Sequence, residues 1–197
     1  MKISTFKYCI VDAIKDMKRN STITITSSIA VSISLSIIGI FLLYLMLIDG
    51  NSSIFFEVNM KMYKNINRII KLIEIVVYTV VPLISVILVM NTIKMTIFYK
   101  KKEIRTMKLI GATEWFIRWP FIIEGLFIGI IGGIISTFSL YCIYKIIFLE
   151  IVKFIPELYL VSPICIIKKM FIPFEIYGVV IGISASIVAL RKNFKYI

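Results

Sequence analysis

Long apolar runs, separated by short polar segments, dominate the pattern along this chain. Four of them, at residues 23–48, 72–98, 121–148 and 171–190, hold enough apolar residues to form membrane-spanning helices. A hydrocarbon core about 30 Å thick is crossed by roughly 20 residues of helix. The pattern therefore predicts an all-α integral membrane protein with four transmembrane helices.

The first run opens with STITITSSIAVSISLS, in which hydroxyl and apolar residues alternate almost as in a β-strand. A lone strand would leave its backbone polar groups unpaired in lipid, and the rest of the chain offers no partners for a barrel. We therefore expect a helix, whose hydroxyl residues four positions apart stack on one face that another helix can approach closely. These residues are Thr24, Ser28, Ser32 and Ser36.

Residues 1–22, before the first span, form a separate element. Apolar residues recur there every three or four positions and charged residues fall between them, which is typical of an amphipathic helix on the inner membrane surface. The alternative is a disordered basic tail. The apolar positions are Phe6, Ile10, Ala13, Ile14 and Met17, and the charged ones are Lys7, Lys15, Asp16, Lys18 and Arg19.

The segment between the second and third spans, residues 99–120, is dense in charge and also holds both tryptophans. Its first half continues the helical period of the second span, with three apolar residues on one side. Gly111 suits a helix stop because glycine tolerates positive φ, and Thr113 suits the N-cap of the next helix. The chain would thus form a helix, a sharp turn and an interfacial helix. The three apolar residues are Ile104, Met107 and Ile110.

The predicted interfacial helix combines aromatic side chains, which suit the headgroup layer, with a proline where the chain enters the bilayer. The whole segment would project a short apolar and basic knob that another protein can bind. The alternative is a solvated loop that only supplies positive charge to the cytoplasmic side. The predicted membrane-interface anchor consists of Trp115, Phe116, Arg118, Trp119 and Pro120.

Composition and charge support this picture. The chain is 59% hydrophobic, its mean hydropathy is +0.96 and its net charge is +12. If both termini are cytoplasmic, most of the 23 basic residues lie on the inner side, as in most membrane proteins. External segments at 49–71 and 149–170 and a cytoplasmic tail at 191–197 follow. The charge indicates attraction to anionic lipid rather than nucleic-acid binding.

The residue types that the sequence lacks limit its chemistry. It contains no histidine and no glycine-rich P-loop motif, so we expect neither imidazole acid–base catalysis nor P-loop nucleotide binding. Cys9, Cys142 and Cys165 lack the spacing of a metal site. We predict no catalytic residue, metal or cofactor in this chain, so that any ATP would be bound by a partner subunit.

Small residues four positions apart mark two further helix faces. These faces could pack within one four-helix bundle or form a dimer contact, and we favour the bundle because such patterns are common in membrane helices. Both arrangements can coexist. The residues are Gly125, Gly129 and Gly133 in the third span, and Gly178, Gly182 and Ser186 in the fourth.

The stretch NTIKMTIFYKKKEIRTMKLIGATEWFIRWPFIIEGLFIGIIGG, residues 91–133, resembles the corresponding segment of the FtsX family of cell-division membrane proteins. The basic amphipathic start, the four spans and the basic ending ALRKNFKYI are also similar to that family. The matching positions are Glu103, Ile104, Met107, Lys108, Leu109, Gly111, Ala112, Thr113, Phe116, Ile117, Arg118, Trp119, Pro120, Phe121, Glu124 and Gly125.

This resemblance implies the membrane subunit of an ABC-type complex of the MacB-like, mechanotransmitting kind in the cell membrane. Its partners would be an FtsE-like P-loop ATPase, a second copy of the chain, and a peptidoglycan hydrolase or adaptor outside the cell. The complex would control cell-wall remodelling in division or at the start of sporulation. The residues implied to dock the ATPase are Glu103, Ile104, Met107, Lys108, Leu109, Gly111, Ala112 and Thr113.

One feature departs from the family. Its members carry a domain-sized external insertion between the first two spans, whereas residues 49–71 are too few for an independent core. We expect an external partner to meet the second external segment, around residues 154–160, or a separate adaptor. Two other readings stay open, a MacB-type exporter of a lipid or peptide and a passive scaffold or small pore.

Glu124 is an acid only four residues beyond Pro120, near the membrane interface. We expect it to form a structural ion pair with Arg118 or Arg105, or to contact water, rather than to carry protons.

Overall fold

The computed structural model describes residues 3–50, 60–154 and 162–193. This part of the chain is helical almost throughout, and four of its helices are long and apolar enough to cross a membrane. The predicted all-α membrane fold is therefore confirmed. The helices are α1 (Ile3–Arg19), α2 (Ser21–Gly50), α3 (Met60–Tyr99), α4 (Lys101–Leu109), α5 (Glu114–Phe154) and α6 (Pro163–Asn193).

The helix bounds differ from the predicted spans at one informative place. Residues 114–154 form one helix, so the predicted separate interfacial helix is wrong. Glu114 and Trp115 instead begin the third span, and Pro120 lies inside it. A proline there removes a single backbone hydrogen bond, which the rest of a long, packed helix tolerates.

Two spans, α5 and α6, pack along a seam of glycines. Gly125 and Gly129 of α5 face Gly182 and Gly178 of α6. A β-carbon added at Gly129 would lie 2.7 Å from the carbonyl carbon of Gly178, and one added at Gly182 would lie 2.9 Å from that of Gly125. Any side chain would force these backbones apart, so only glycine permits this approach. We call these four residues the glycine seam.

The other predicted packing residues also lie inside the bundle. Ser28, Ser32 and Ser36 are buried on one face of α2, and the Ser36 hydroxyl donates to Ser136 of α5 over 3.3 Å. Ser186 is buried where it would meet a side chain at Gly125. In the described chain these small residues therefore serve contacts between helices of one copy. The remaining one, Gly133, faces the carboxylate of Glu175.

The main apolar core joins all four spans and continues to the end of the bundle that carries α4. It contains Val31 and Leu35 of α2 and Ile93 of α3, and it reaches Ile104 of α4 and Ile117 of α5. The short helix α4 is thus anchored in the same core as the spans.

Some sequence predictions fall on residues that the structure does not describe. They concern most of the external partner segment at 154–160, much of the external segment at 49–71 and the end of the tail at 191–197. The side chains of Phe6, Lys7 and Cys9 are also outside the described set.

Candidate docking site at the end of the bundle that carries α4

Helix α4 is almost a continuation of the second span. Helix α3 ends at Tyr99, and α4 begins at Lys101. The backbone N–H of Lys100 donates to the Thr96 carbonyl over 3.0 Å, and that of Ile104 donates to the Lys100 carbonyl over 2.9 Å. These two backbone hydrogen bonds connect Lys100 to both helices.

A sharp turn separates α4 from α5. Gly111 has φ 81°, a left-handed conformation that favours glycine, as predicted for the helix stop. The Phe116 N–H donates to the Thr113 hydroxyl over 3.4 Å, so Thr113 takes the expected N-cap place of α5. Ala112 is half-buried against the core. The turn therefore has a defined conformation, held by backbone hydrogen bonds and by the cap of α5.

The apolar side of α4 points inward. Ile104 is only 2% exposed, and Met107 packs against the same core. Ile104 therefore cannot belong to a docking surface, and its inclusion there was wrong. A helix that already lies on its own protein turns its apolar stripe to that protein, so periodicity alone cannot distinguish the two roles.

The exposed apolar side chains lie at the end of α4 instead. Leu109 is 82% and Ile110 is 78% exposed. We call these two residues the apolar turn. The family resemblance included Leu109, whereas Ile110 was expected on the side shared by Ile104. Exposed basic residues precede the turn on α4, namely Lys101, Lys102 and Arg105.

A buried ion cluster fixes α1 to this end of the molecule. The Lys100 ammonium is 2.8 Å from Asp12 Oδ2 and also contacts Asp16. Both Lys100 and Asp16 are buried, at 4% and 2% exposure. Arg19 lies 3.3 Å from Asp16 and 3.6 Å from Glu103. We call Asp12, Asp16, Arg19, Lys100 and Glu103 the ionic joint.

Burial and pairing act against each other in the ionic joint. Burial alone would lower the pKa of Lys100, but hydrogen bonds and charges from Asp12 and Asp16 hold that pKa above its usual value. Burial raises the pKa of Asp16, although its bond to Lys100 opposes the rise. Lys100 thus stays charged at neutral pH because two carboxylates surround it.

Sequence reasoning missed the ionic joint. Lys100 and Asp12 are 88 positions apart, so no local pattern could pair them. The sequence did contain one weak indication of a basic partner. Asp12 and Asp16 are four residues apart, and so on one face of a helix whose other charged residues are basic.

The two faces of α1 were also misassigned. Ala13 is fully buried against Ile123 of α5, whereas Ile14 is 51% and Val11 57% exposed. The predicted apolar face, which grouped Ala13 with Ile14, is therefore split between a protein contact and an outward side. The outward side also carries Lys15 and Lys18.

Glu124 has a different partner from the predicted one. Its carboxylate accepts a hydrogen bond from the Thr96 hydroxyl over 3.0 Å, and the residue is 1% exposed. Arg118 instead donates to Glu114 over 2.6 Å. Six helical residues separate Arg118 from Glu124, which places them on different faces, whereas Glu114 and Arg118 are the favourable four apart. The predicted ion pair with Arg118 was wrong.

The predicted interface anchor does not act as one set. Trp115 is 64% exposed, whereas Trp119 packs against the cluster of Ala13 and Ile123 beneath α1. Phe116 and Arg118 are half-buried and Pro120 is buried. Trp115 is thus the one largely exposed side chain among the five, and their common role at the membrane interface stays a prediction.

Comparison with known proteins places this arrangement in a family. The family model described as FtsX-like permease C-terminal matches residues 75–193, which include α4, the apolar turn and the last two spans.

Curated relatives that match include three proteins named cell division protein FtsX. The Bacillus subtilis protein is 36% identical over 119 residues, 55% of this chain and 37% of that protein. The Bacillus anthracis protein is 59% identical over 51 residues, 26% of this chain and 17% of that protein. The Streptococcus pneumoniae D39 protein is 34% identical over 114 residues, 57% of this chain and 37% of that protein. The matched part of the chain thus covers between 17% and 37% of the length of these relatives.

Proposed function

This chain belongs to the FtsX-like permease family, and we propose that it is the transmembrane subunit of an ABC-type complex of the FtsE–FtsX kind. The partner ATPase binds and hydrolyses ATP, and this chain supplies neither a catalytic residue nor a cofactor site. Both termini lie in the cytoplasm, on the side of α4. The complex controls cell-wall remodelling in division, and in a sporulating organism also at the start of sporulation.

The apolar turn carries this proposal. Leu109 and Ile110 are the most exposed large apolar side chains in the described chain, and they lie where α4 ends. Two such side chains beside each other in water are unfavourable unless a partner covers them. The apolar turn would contact an apolar floor in a groove of the partner, and the exposed basic residues of α4 would contact acidic residues at its rim.

The rest of α4 is fixed in a way that suits force transmission. Ile104 holds it in the core, the backbone connects it to α3, and Lys100 connects the junction to α1. Movement of a docked ATPase would therefore displace the turn together with the first and second spans. Such rigid-body coupling needs stiff elements on both sides of the docking point.

Outside the cell, the moving spans act on a peptidoglycan hydrolase or on an adaptor that recruits it. The short external segments of this chain favour an adaptor, because they are too small for an independent domain.

The docking proposal is tested by changing Leu109 and Ile110 together to glutamate. We expect the FtsE-type ATPase encoded by the same organism to co-purify with the wild-type chain in the presence of ATP and Mg²⁺, and to be lost from the double variant. Thermal unfolding of the membrane subunit should stay within a degree or two because both side chains are exposed.

The matched control changes the same two residues to methionine, which keeps the turn apolar and should retain the ATPase. Co-purification of the ATPase at the wild-type level with the double glutamate variant would contradict the proposal, as would its absence from the wild-type chain.

A further inference from the structure

A concave basic surface lies where the second span meets α4. It encloses a cavity with a volume of about 490 Å³, lined by Phe98 and Tyr99 of α3 and by Lys101, Lys102 and Arg105 of α4. All five side chains are exposed, Phe98 to 70% and Tyr99 to 56%. We call these five residues the basic pocket. Its volume is in the range of sites that bind small molecules.

The acidic and basic side chains of α4 have different surroundings. The single acidic residue of this helix, Glu103, lies 3.6 Å from Arg19 and 3.9 Å from Lys100, and so belongs to the ionic joint. No carboxylate lines the basic pocket. In the described part of the chain, none of the three pocket bases has an ion-pair partner. Like charges around one cavity repel one another, so all three would stabilise an anion bound there.

The aromatic wall places the basic pocket at the membrane boundary. Phe98 and Tyr99 are the last two residues of the second span, and their rings meet edge to face with centroids 6.3 Å apart. Such side chains suit the headgroup layer. Arg105 follows Tyr99 after six residues, about 9 Å of helix, which is comparable with the thickness of that layer. An acidic protein segment would have to enter the headgroup layer to contact the whole pocket, whereas a lipid headgroup is already there.

We propose that the basic pocket binds the headgroup of an anionic phospholipid in the leaflet on the side of α4, with an acyl chain against Phe98. Phosphate oxygens accept hydrogen bonds from ammonium groups, and a guanidinium such as that of Arg105 binds a phosphate through two parallel bonds. Three bases favour a lipid with two phosphates over a lipid with one.

The same bases are proposed above to contact the acidic rim of the ATPase. The lipid therefore holds them while no ATPase is docked, and docking displaces it. This order of events rests on the proposed function, whereas the lipid site itself does not.

The first test is native mass spectrometry of the delipidated full chain with added phosphatidylcholine, phosphatidylglycerol or diphosphatidylglycerol. We expect affinity to rise in that order. Changing the three pocket bases together to glutamine should weaken diphosphatidylglycerol binding about a hundredfold, because each base near an anionic lipid contributes roughly a factor of five.

The matched control removes the same charge from three exposed lysines at the opposite end of the bundle, Lys145, Lys168 and Lys169. It should keep diphosphatidylglycerol binding within about twofold, and both triple variants should unfold at the wild-type temperature because all the changed side chains are exposed. Equal losses of binding in the two variants, or equal affinity of the wild-type chain for the three lipids, overturn the proposal.

The second test locates the lipid in membranes of cells that produce the chain without the ATPase. A benzoylphenylalanine photocrosslinker at position 98 should capture anionic lipid in excess of its share of the membrane. The same probe at Ile172, which is 63% exposed on α6, should capture lipids in proportion to their abundance. Capture of protein instead of lipid at position 98, or of lipids in bulk proportions, overturns the proposal. Neither test uses the ATPase or changes Leu109 and Ile110, so failure here is distinguishable from failure of the docking proposal.

Discussion

The glycine seam and the ionic joint hold the same bundle together by opposite means. In the seam, Gly129 and Gly178 bring two backbones into direct contact, with no side chain between them. In the joint, the long side chain of Lys100 reaches from the junction of α3 and α4 to the carboxylates of α1. The seam requires residues without side chains, whereas the joint requires charged side chains.

This difference indicates which parts move together. Backbone contact leaves no slack, so the seam makes α5 and α6 one rigid pair. Long charged side chains can change rotamer and still keep their bonds, so the joint can transmit a displacement while adjusting to it. In the proposed function, the cytoplasmic end adjusts to the ATPase and the seam carries the motion outward.

The largest effect is expected in the seam. Gly129→Leu would place a side chain against the carbonyl of Gly178, where neither backbone can yield. Overpacking of this kind should destabilise the chain by more than about 4 kcal/mol. The measurement is the recovery of folded, monodisperse protein and its thermal unfolding in detergent.

The control for added volume is Val188→Leu, which enlarges a side chain of α6 that is 46% exposed and should leave unfolding unchanged. A Gly129→Leu protein that unfolds at the wild-type temperature would contradict the seam as a contact without slack.

The next effect is expected in the joint. Lys100→Met keeps most of the side-chain volume but leaves Asp16 buried beside Asp12 without its ammonium partner. We expect the free energy of unfolding to fall by about 3 kcal/mol. This is the low end for a broken buried ion pair, because Arg19 remains near Asp16. Thermal unfolding measures the loss, and limited proteolysis after residue 19 reports whether α1 detaches.

The matched control is Lys101→Met, which removes the same charge from the adjacent, exposed position and should cost less than about 0.5 kcal/mol. Adding Asp16→Asn to Lys100→Met should recover part of the loss, because the uncompensated carboxylate disappears. If both lysine variants behaved alike, the joint would have no special role.

The sequence allowed the seam to be predicted but not the joint, for a physical reason. Gly125 and Gly129 mark a helix face by local spacing, and a smooth face in a membrane has few uses other than close packing. The partner of Lys100 depends on how α1 packs against the bundle. The local spacing of apolar and polar residues does not predict that packing. Ile104 was misassigned for the same reason, because an apolar residue on a short helix outside the spans can face its own core or a partner.

A smaller effect is expected where the two regions meet. Glu124 precedes Gly125 of the seam, and it accepts a hydrogen bond from Thr96, one helical turn before Lys100 of the joint. Thr96→Val keeps the shape of the side chain but leaves the buried carboxyl without this donor, which should cost about 1–2 kcal/mol. The same replacement at Thr79, which is exposed and bonds only to its own helix, is the control and should be neutral. The measurement is the thermal unfolding midpoint of each variant. A lower midpoint for Thr96→Val than for Thr79→Val would show that the hydrogen bond between Thr96 and Glu124 stabilises the bundle between the seam and the joint. Equal midpoints would mean that the seam and the joint are energetically independent at this point.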